Sequence, residues 1–338
     1  MTLAEEVSRA REAARRIRDG EPLGPRSYRA LRRLHTRTGG GSSAVLGAVA
    51  RRLPGHAATG EEPVDEASLA ALRRDGVVVL PWRLPAEVVE RLVEFARQAP
   101  VGPLGVDAET CAAIAARGPL RYDDVRTDLP MALVTGPEAM RSSDLQALVV
   151  DARLLGLAQA YLRARPVAGP ATLTWTTGVP MAAWTPHETR NATLYHWDFD
   201  GLSSLRVHIY LTDVDAEDAP MRYLRGSHRP SRARTRLLRA GDVGHSDPAA
   251  YLACGREAET VITGAAGTVF VSDSQGLHRG SPASGRERLF AVWALGSSPL
   301  VTPVRPRVPV TVSGTQPDPR FAAMLRGGDR ALALFEAV

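Results

Sequence analysis

The spacing of apolar residues changes near the middle of the chain. Before about residue 165, apolar positions recur every three or four residues, which predicts helices in ASLAALRRDG, in PAEVVERLVEFARQA and near residues 108–117 and 144–164. From about residue 170, short runs rich in β-branched and aromatic residues predict strands. These runs are TLTWTT, ATLYHWDF, LRVHIYLTDV, MRYL, ETVIT, TVFVS and RLFAVWAL. Helices first and many short strands later indicate a mainly β protein with flanking helices, whose two sheets close as a jelly roll.

The chain divides into three predicted parts. Residues 1–65 are expected to form a helical N-terminal extension, with an amphipathic helix over residues 3–19 and breaks over residues 39–43 and 54–66, the first of them flexible. Residues 66–300 are expected to form the jelly-roll domain, and residues 301–338 a C-terminal tail with a short helix. The pattern leaves open whether the extension docks on the domain, contacts a partner or does neither.

The basic residues of this 338-residue chain are all arginines, since it contains no lysine. That bias, together with abundant alanine and glycine, is typical of a GC-rich genome. The formal charge of +5 could indicate nucleic-acid binding. The arginines are spread along the sequence and many lie close to an acid, so we expect a solvated surface instead. These features give no reason to expect nucleic acid or a membrane as a partner, and the oligomeric state stays open.

Apolar run lengths and cysteine content indicate a cytoplasmic protein. The longest apolar runs fall short of the about 20 residues that a membrane-spanning helix needs. The first sixteen residues are charged throughout and lack the apolar stretch of a secretory signal. Two cysteines, Cys111 and Cys254, are too few for a disulfide framework.

One short motif, HWD at residues 196–198, offers two metal ligands. Residues i and i+2 of a strand project from one face, so a strand would present His196 and Asp198 together. With eight histidines and 37 acidic residues, such a triplet is expected about once by chance, so the motif is weak alone. A second triplet, HSD at residues 245–247, lies in the polar stretch GDVGHSDP and is expected to be a solvated turn.

The block GAAGTVFVSDSQGLHRGSPASGRERLFAVWAL supplies a third ligand and a cation. A strand leads through a turn to His278, and Arg288 opens the next strand. Two imidazoles and one carboxylate form a facial triad, which leaves positions on Fe(II) open for 2-oxoglutarate and O2. The far carboxylate of 2-oxoglutarate then needs a cation, and the planar guanidinium of Arg288 suits it. Arg286 is the rival anchor, but Arg288 directly precedes the apolar strand.

In their order, these motifs resemble the phytanoyl-CoA dioxygenase-like family of Fe(II)- and 2-oxoglutarate-dependent oxygenases. The resemblance covers roughly residues 66–298 and rests on DGVVVLPWRLPAEVVERL, YHWDFDG, IYLTDVDAEDAPMRYLRGSHR and GTVFVSDSQGLHRG. It implies a double-stranded β-helix core of the jelly-roll or cupin type. The Fe(II) ligands would be His196, Asp198 and His278. Arg288 would anchor 2-oxoglutarate, with O2 as the other cosubstrate.

Further contacts to 2-oxoglutarate are less well defined. The family often has a hydroxyl two residues after the distal histidine, but this chain has Gly280 there and Ser281 one position later. Thr174, on an earlier strand, is a second candidate, although its position also suits barrel packing.

Contact with the substrate is predicted for four residues. They are His187, Arg206, His208 and Arg222. His208 alternates with Arg206 along one strand, and the sequence does not show which strand face lines the interior.

The resemblance implies hydroxylation of an aliphatic C–H bond of a small molecule, in a tailoring step of bacterial secondary metabolism. In related halogenases a small residue replaces the carboxylate ligand, so the presence of Asp198 favours hydroxylation or a related desaturation or ring closure. Two alternatives stay open. One is a metal-dependent jelly-roll isomerase or lyase that does not use 2-oxoglutarate, and the other is a barrel that binds a ligand without catalysis.

Overall fold

A computed structural model gives the fold of most of the chain. The described residues are 8, 11–12, 15, 25–52, 55–60, 62–179, 193–240, 244–280, 286–297, 307–310 and 317–338. The helices are α1 (Pro25–Thr38), α2 (Gly41–Ala50), α3 (Glu66–Asp75), α4 (Ala86–Gln98), α5 (Ala108–Ala115), α6 (Gly136–Ala139), α7 (Ser143–Val149), α8 (Ala152–Leu162), α9 (Arg232–Ala240), α10 (Asp247–Cys254) and α11 (Pro319–Arg326). The strands are β1 (Val77–Arg83), β2 (Gly102–Leu104), β3 (Met131–Val134), β4 (Val167–Ala168), β5 (Thr172–Thr176), β6 (Ser204–Tyr210), β7 (Met221–Leu224), β8 (Glu259–Ile262), β9 (Thr268–Asp273), β10 (His278–Arg279), β11 (Arg288–Gly296), β12 (Val308–Val310) and β13 (Phe335–Ala337).

Two antiparallel sheets form the core of the domain. The main sheet has eight strands in the order β1-β9-β6-β11-β5-β3-β2, with β4 paired to β11. The smaller sheet has the order β10-β7-β8, and an isolated bridge between His196 and His278 extends it. The non-sequential strand order and the helices against the main sheet are those of a double-stranded β-helix, as the sequence predicts.

Alternation along β6 and β11 separates a helix-packed face from an interior face. The helix-packed residues of these strands belong to the largest apolar cluster: Leu205, Val207, Ile209, Leu289, Ala291, Trp293 and Leu295. The opposite face carries Arg206, His208, Tyr210, Arg288, Phe290 and Val292. Tyr210 and Phe290 pack against Met221 and Tyr223 of the smaller sheet, so this second face lines the space between the sheets.

Several elements differ from the predicted ones. The helix expected over residues 144–164 is two helices, because Asp151 caps the start of α8 with its side chain. The strand expected in ATLYHWDF is reduced, within the described residues, to isolated bridges at Tyr195 and His196. Helix α2 begins directly after the glycines at 39–40, where a flexible break was expected. The helix predicted over residues 3–19 lies mostly outside the described residues.

The N-terminal extension packs on the domain through α1. Leu31 lies in an apolar cluster with Trp197, Phe199, Leu202 and Leu238, all of them buried. The sequence left open what the extension contacts, because the spacing of apolar residues gives a helix its apolar face but not the surface that covers it. The tail contains α11, and the three predicted domain boundaries stay predictions.

By length and composition only, the apolar stretch Ser143–Leu162, which contains α7 and α8, could cross a membrane. Of its 18-residue apolar window, 67% is buried inside the protein. Leu145, Leu154 and Leu157 belong to the main apolar cluster, so this stretch serves as core. A cytoplasmic location stays a prediction.

Candidate metal centre

His196 and His278 face each other across the two-residue bridge that extends the smaller sheet. The backbone N–H of each donates to the carbonyl oxygen of the other at 2.9 Å. Their ring centroids are 4.4 Å apart. A pair in register in this way places both side chains on one face of the sheet. Residues 82 positions apart in sequence are thereby held side by side.

Both imidazoles are oriented by the same backbone contact. His196 Nδ1 donates to the carbonyl oxygen of Leu194 at 2.9 Å. His278 Nδ1 donates to the carbonyl oxygen of Gly276, also at 2.9 Å. A carbonyl can only accept, so the proton is placed on Nδ1 and each Nε2 presents its lone pair. Metal-ligating histidines are commonly fixed by such a contact.

Asp198 completes a cluster of three ligand atoms. Its backbone N–H donates to the carbonyl oxygen of Ser274 at 2.8 Å, which fixes the end of the motif. The ligand atoms of His196, Asp198 and His278 all lie within 4.8 Å of one another. Asp198 Oδ2 is buried and makes no hydrogen bond of normal geometry with the described residues, although Arg206 Nη1 lies 3.0 Å away and His278 Nε2 3.2 Å away. Two nitrogen donors and one carboxylate oxygen converging in this way fit a divalent metal ion.

The charge states of the cluster also suit a cation. Burial, together with the neighbouring His278, lowers the pKa of His196 to about 4, so its imidazole is neutral at pH 7. Burial alone would raise the pKa of Asp198, but Arg206 and His278 outweigh it and the pKa lies below its usual range. A neutral imidazole beside an ionised carboxylate is the protonation state that metal binding requires.

Arg206 is held by two carboxylates on the interior face of β6. Its Nη1 lies 3.0 Å from Asp198 Oδ2, and its Nε lies 2.8 Å from Asp200 Oδ2. The guanidinium therefore orients the ligand carboxylate, and Asp200 in turn orients the guanidinium. Sequence analysis proposed Arg206 for the substrate and missed Asp200, although the spacing HWDFD places this second acid two residues after the first.

Arg288 is a buried cation that faces the same interior. It is 6% exposed, and its guanidinium donates to the carbonyl of Ala219 and to Thr176 Oγ1, the latter at 3.1 Å. Burial lowers its pKa, while Nε has no hydrogen-bond partner in the part of the chain that the structure describes. Among the described residues, no carboxylate forms an ion pair with it, and Asp218 pairs with Arg286 instead. A buried guanidinium without a counterion is costly, so this site suits a bound carboxylate.

Arg286 is placed differently from Arg288. Its side chain is 64% exposed and forms ion pairs with Asp215 and, at 2.9 Å, with Asp218. These contacts hold the guanidinium at the surface. The geometry therefore favours Arg288 over Arg286 as the anchor.

His208 and the threonines of β5 line the space between the triad and Arg288. Burial, with the charge of Arg206, lowers the pKa of His208 well below its ordinary value, and His278 and Arg288 also act on it. Its ring stacks on Phe270 with centroids 4.6 Å apart. Thr174 opposes Phe290 in the sheet register and is buried, so it faces the same interior.

The remaining predicted residues fall elsewhere. Arg222 opposes Arg279 on the outer face of the smaller sheet and forms an ion pair with Glu259 at 3.0 Å, which does not favour contact with a substrate between the sheets. His187 and Ser281 lie outside the described residues. The solvated turn expected at His245 is wrong, because this residue is 8% exposed and its backbone pairs with that of Tyr195.

The residues that alternate with the candidate metal ligands His196 and Asp198 pack on the N-terminal helix. Trp197 lies between the two ligands of the motif and stacks on His35 of α1, with ring centroids 4.7 Å apart. Phe199 packs against Tyr28 of the same helix at 5.9 Å. The ligand motif is thus held from behind by α1, a contribution that sequence analysis missed.

Comparisons with known proteins show which family and which solved structures this chain resembles. The family model described as phytanoyl-CoA dioxygenase matches residues 72–289, more than half of the chain. No curated protein sequence matches. Among solved structures, the non-heme α-ketoglutarate-dependent epimerase SnoN from nogalamycin biosynthesis is 19% identical, with 68% of this chain and 82% of that chain covered and a TM-score of 0.47.

Two further structures are similar at the same level. EctD from S. alaskensis with bound Fe is 20% identical, with 74% of this chain and 84% of that chain covered and a TM-score of 0.46. HygX from Streptomyces hygroscopicus, with nickel and 2-oxoglutarate bound, is 13% identical, with 75% and 92% covered and a TM-score of 0.46. Similarities of this size assign neither a substrate nor a reaction to this chain.

Proposed function

The chain belongs to the phytanoyl-CoA dioxygenase family, within the iron- and 2-oxoglutarate-dependent oxygenases, and we propose that it hydroxylates an aliphatic C–H bond of a small molecule. The observation that carries this proposal is the meeting of two features between the sheets. One is the cluster of His196, Asp198 and His278. The other is the buried guanidinium of Arg288, which has no ion-pair partner among the described residues. A keto acid with a second carboxylate is the ligand that both features together suit.

Iron(II), 2-oxoglutarate and O2 supply the oxidising chemistry when bound, with succinate and CO2 as products. The protein's own residues provide positions and charges. His196 and His278 offer Nε2 because their Nδ1 protons are donated to backbone carbonyls. Asp198 contributes one negative charge, and its contact with Arg206 at 3.0 Å orients the carboxylate.

Arg288 would hold the far carboxylate of 2-oxoglutarate. Each charge-assisted hydrogen bond from a guanidinium contributes roughly 1.5–3 kcal/mol. Phe290, directly beyond Arg288 on the same face, lies under the guanidinium, with the ring centroid 4.6 Å from Cζ. The aromatic floor formed by Tyr210, Phe270 and Phe290 excludes water from this end of the interior, which strengthens the contact.

A substrate from bacterial secondary metabolism is part of this proposal. The family and the arginine-only basic composition, typical of GC-rich genomes, support it. Helix α1, outside the family-matched residues, packs against the ligand motif through Trp197 and Phe199, so it supports the candidate metal site from the side opposite the ligands.

Succinate formation tests the proposal. Purified protein with Fe(II), 2-oxoglutarate and O2 should convert 2-oxoglutarate to succinate, and candidate substrates should raise that rate. Asp198→Ala should reduce succinate to background, because a ligand that carries charge is lost. Asp215→Ala is the matched control, since this acid is 52% exposed and pairs with Arg286.

Two results would contradict the proposed function. Normal turnover by Asp198→Ala would exclude the triad as the metal site. Metal binding without any succinate, with or without candidate substrates, would favour an isomerase or lyase that does not use 2-oxoglutarate.

A further inference from the structure

Two segments of the chain carry thirteen arginines and no acidic residue. They are residues 25–52 and residues 225–240. The rest of the chain has 29 arginines and 37 acidic residues, so it is net negative by eight although the whole chain is at +5. Along the sequence the arginines are spread out, but positive charge is segregated once the two segments are considered together. Such segregation of charge affects which partners the protein binds and does not determine its fold.

The two basic segments form one surface. Arg234, 1% exposed, donates from Nη1 to the carbonyl of Gly39 at 3.1 Å and from Nη2 to the carbonyl of Gln275 at 2.8 Å. Arg239 donates to the carbonyl of Arg37. A side chain at Gly39 would overlap Thr235, so α1 ends in close contact with α9. We call this surface, made by the exposed sides of α1 and α9, the arginine face.

Arginines on the arginine face are aligned in rows. Arg29 and Arg33 are spaced i, i+4 on α1, and Arg232 and Arg236 are spaced i, i+4 on α9. All four are exposed, and no acidic residue in the described part of the chain lies within 4.0 Å of them. Like charges at this spacing destabilise a helix. The rows therefore cost stability in the isolated chain and favour an external counter-charge.

The arginine face also borders the metal centre. The inner side of α1 packs on the ligand motif through His35 and Tyr28. A helix is about 10 Å across, so a molecule on the outer side of α1 lies within about that distance of the motif. Beside α9 the face contains a surface depression of about 620 Å³, lined by Pro230, Ser231, Arg232, Thr235, Arg236 and Arg239.

We propose that the arginine face docks an acidic segment of a partner protein beside the metal centre. A protein is favoured over nucleic acid because the residues outside the two basic segments are net negative, which disfavours binding of a long polyanion to the chain as a whole. It is favoured over a membrane because the large apolar side chains of α1 and α9, such as Leu31 and Leu238, are buried, and the depression is concave. The exposed Val45 and Val49 lie on α2, outside the arginine face. Glutamates at i, i+4 spacing on a partner helix match both arginine rows.

Binding of a defined probe tests this docking surface. The probe is a short helical peptide with glutamates at i, i+4 spacing, followed by fluorescence anisotropy with the full chain at physiological ionic strength. Each double variant, Arg29→Glu with Arg33→Glu or Arg232→Glu with Arg236→Glu, should weaken binding about tenfold or more. Arg83→Glu with Arg326→Glu is the matched control on exposed arginines elsewhere, and it should leave binding unchanged.

A second measurement guards against loss of folding. Arg29→Gln with Arg33→Gln should leave the melting temperature at low salt unchanged or higher, because it relieves repulsion. A lower melting temperature would show that these arginines are paired within the chain and would overturn the proposal. So would absence of peptide binding, equal loss in the control, or tighter binding of a short DNA duplex or of phosphatidylglycerol-containing vesicles than of the peptide. None of these readouts uses oxygenase activity, so the result is independent of the proposed function.

Discussion

The imidazole of His35 stacks on the indole of Trp197, with ring centroids 4.7 Å apart and planes inclined by 22°. Trp197 separates the two candidate metal ligands His196 and Asp198, while His35 belongs to a helix outside the family-matched residues 72–289. His35 is itself fixed by a hydrogen bond between its Nδ1 and Ser43 Oγ at 2.8 Å. The N-terminal helix therefore positions the ligand motif of a domain from which it is separate in sequence.

Removing this stack should weaken metal binding. An aromatic pair contributes about 0.5–1.5 kcal/mol, so His35→Ala should lower the affinity for Fe(II) or Co(II) by up to about tenfold. His35→Phe retains a ring on Trp197 and should restore most of that affinity. The measurement is an anaerobic metal titration.

A remote aromatic pair provides the control for that titration. Phe321 and Phe335 pack with centroids 5.4 Å apart, away from the metal centre. Phe335→Ala should lower the melting temperature without changing metal affinity. If His35→Ala and Phe335→Ala lost metal affinity equally, His35 would contribute only to the stability of the fold and not to the position of the ligand motif.

His35 should also make stability depend on pH. Burial, then the positive charges of Arg234 and Arg32, lowers its pKa from 6.5 to about 3. The imidazole therefore stays neutral in the folded protein while the unfolded chain takes up a proton near pH 6.5. Its contribution to stability is complete above about pH 6.5 and is lost progressively as pH falls towards 3.

The contribution of His35 to the pH dependence of stability can be measured by comparing the unfolding free energies of the wild type and of His35→Phe. Between pH 7 and pH 5, His35 should account for about 2 kcal/mol of lost unfolding free energy. His35→Phe should show a pH dependence smaller by that amount in denaturant unfolding. Identical pH dependence in the two proteins would contradict a buried neutral imidazole at this position.

Arg288 should determine the requirement for 2-oxoglutarate. Arg288→Ala removes the buried guanidinium and should raise the half-saturating concentration about tenfold or more. Arg286→Ala removes a guanidinium two residues away that is already paired with Asp215 and Asp218, so its concentration dependence should be unchanged. A larger rise in the half-saturating concentration for Arg286→Ala than for Arg288→Ala would show that Arg286 binds 2-oxoglutarate.

Gly276 should tolerate no side chain. Its carbonyl oxygen accepts the Nδ1 proton of His278, and a Cβ at this position would overlap the hydroxyl of Tyr223. Gly276→Ala should therefore destabilise the fold by about 1–3 kcal/mol and reduce metal affinity. Gly102→Ala is the control, because a Cβ there has nothing within 4 Å. A stable Gly276→Ala variant with normal metal affinity would contradict the close approach of Tyr223.

The fold and the triad could be predicted because both depend on local signals in a fixed order. Short strands between turn residues indicate a jelly roll, and the resemblance carried by the ordered motifs implies that the HWD motif, His278 and Arg288 meet in one site. The interior face of β6 could not be predicted, since polar residues alternate with apolar ones and either face could pack on helices. In the structure Val207 and Ile209 belong to the helix-packed cluster, so the opposite face of β6 is the interior one.

Long-range contacts account for what the sequence did not indicate. His245 lies between turn-forming residues, yet its pairing with Tyr195 buries it. Helix α1 has apolar or aromatic residues at Tyr28, Leu31 and His35. This spacing predicts one apolar face of the helix but not the surface against which that face packs. Arg206 was predicted to contact the substrate because arginines near a pocket suit an acidic molecule, but in the fold its guanidinium lies against Asp198 and Asp200.

The most direct test of the oxygenase proposal is an anaerobic absorption spectrum of the full chain with Fe(II) and 2-oxoglutarate. A weak visible charge-transfer band that needs both components is expected, because bidentate chelation requires the open positions of a facial triad. The band should be absent in Asp198→Ala and should need more 2-oxoglutarate in Arg288→Ala. Iron binding without any band on addition of 2-oxoglutarate would contradict the assignment of Arg288 and of the reaction.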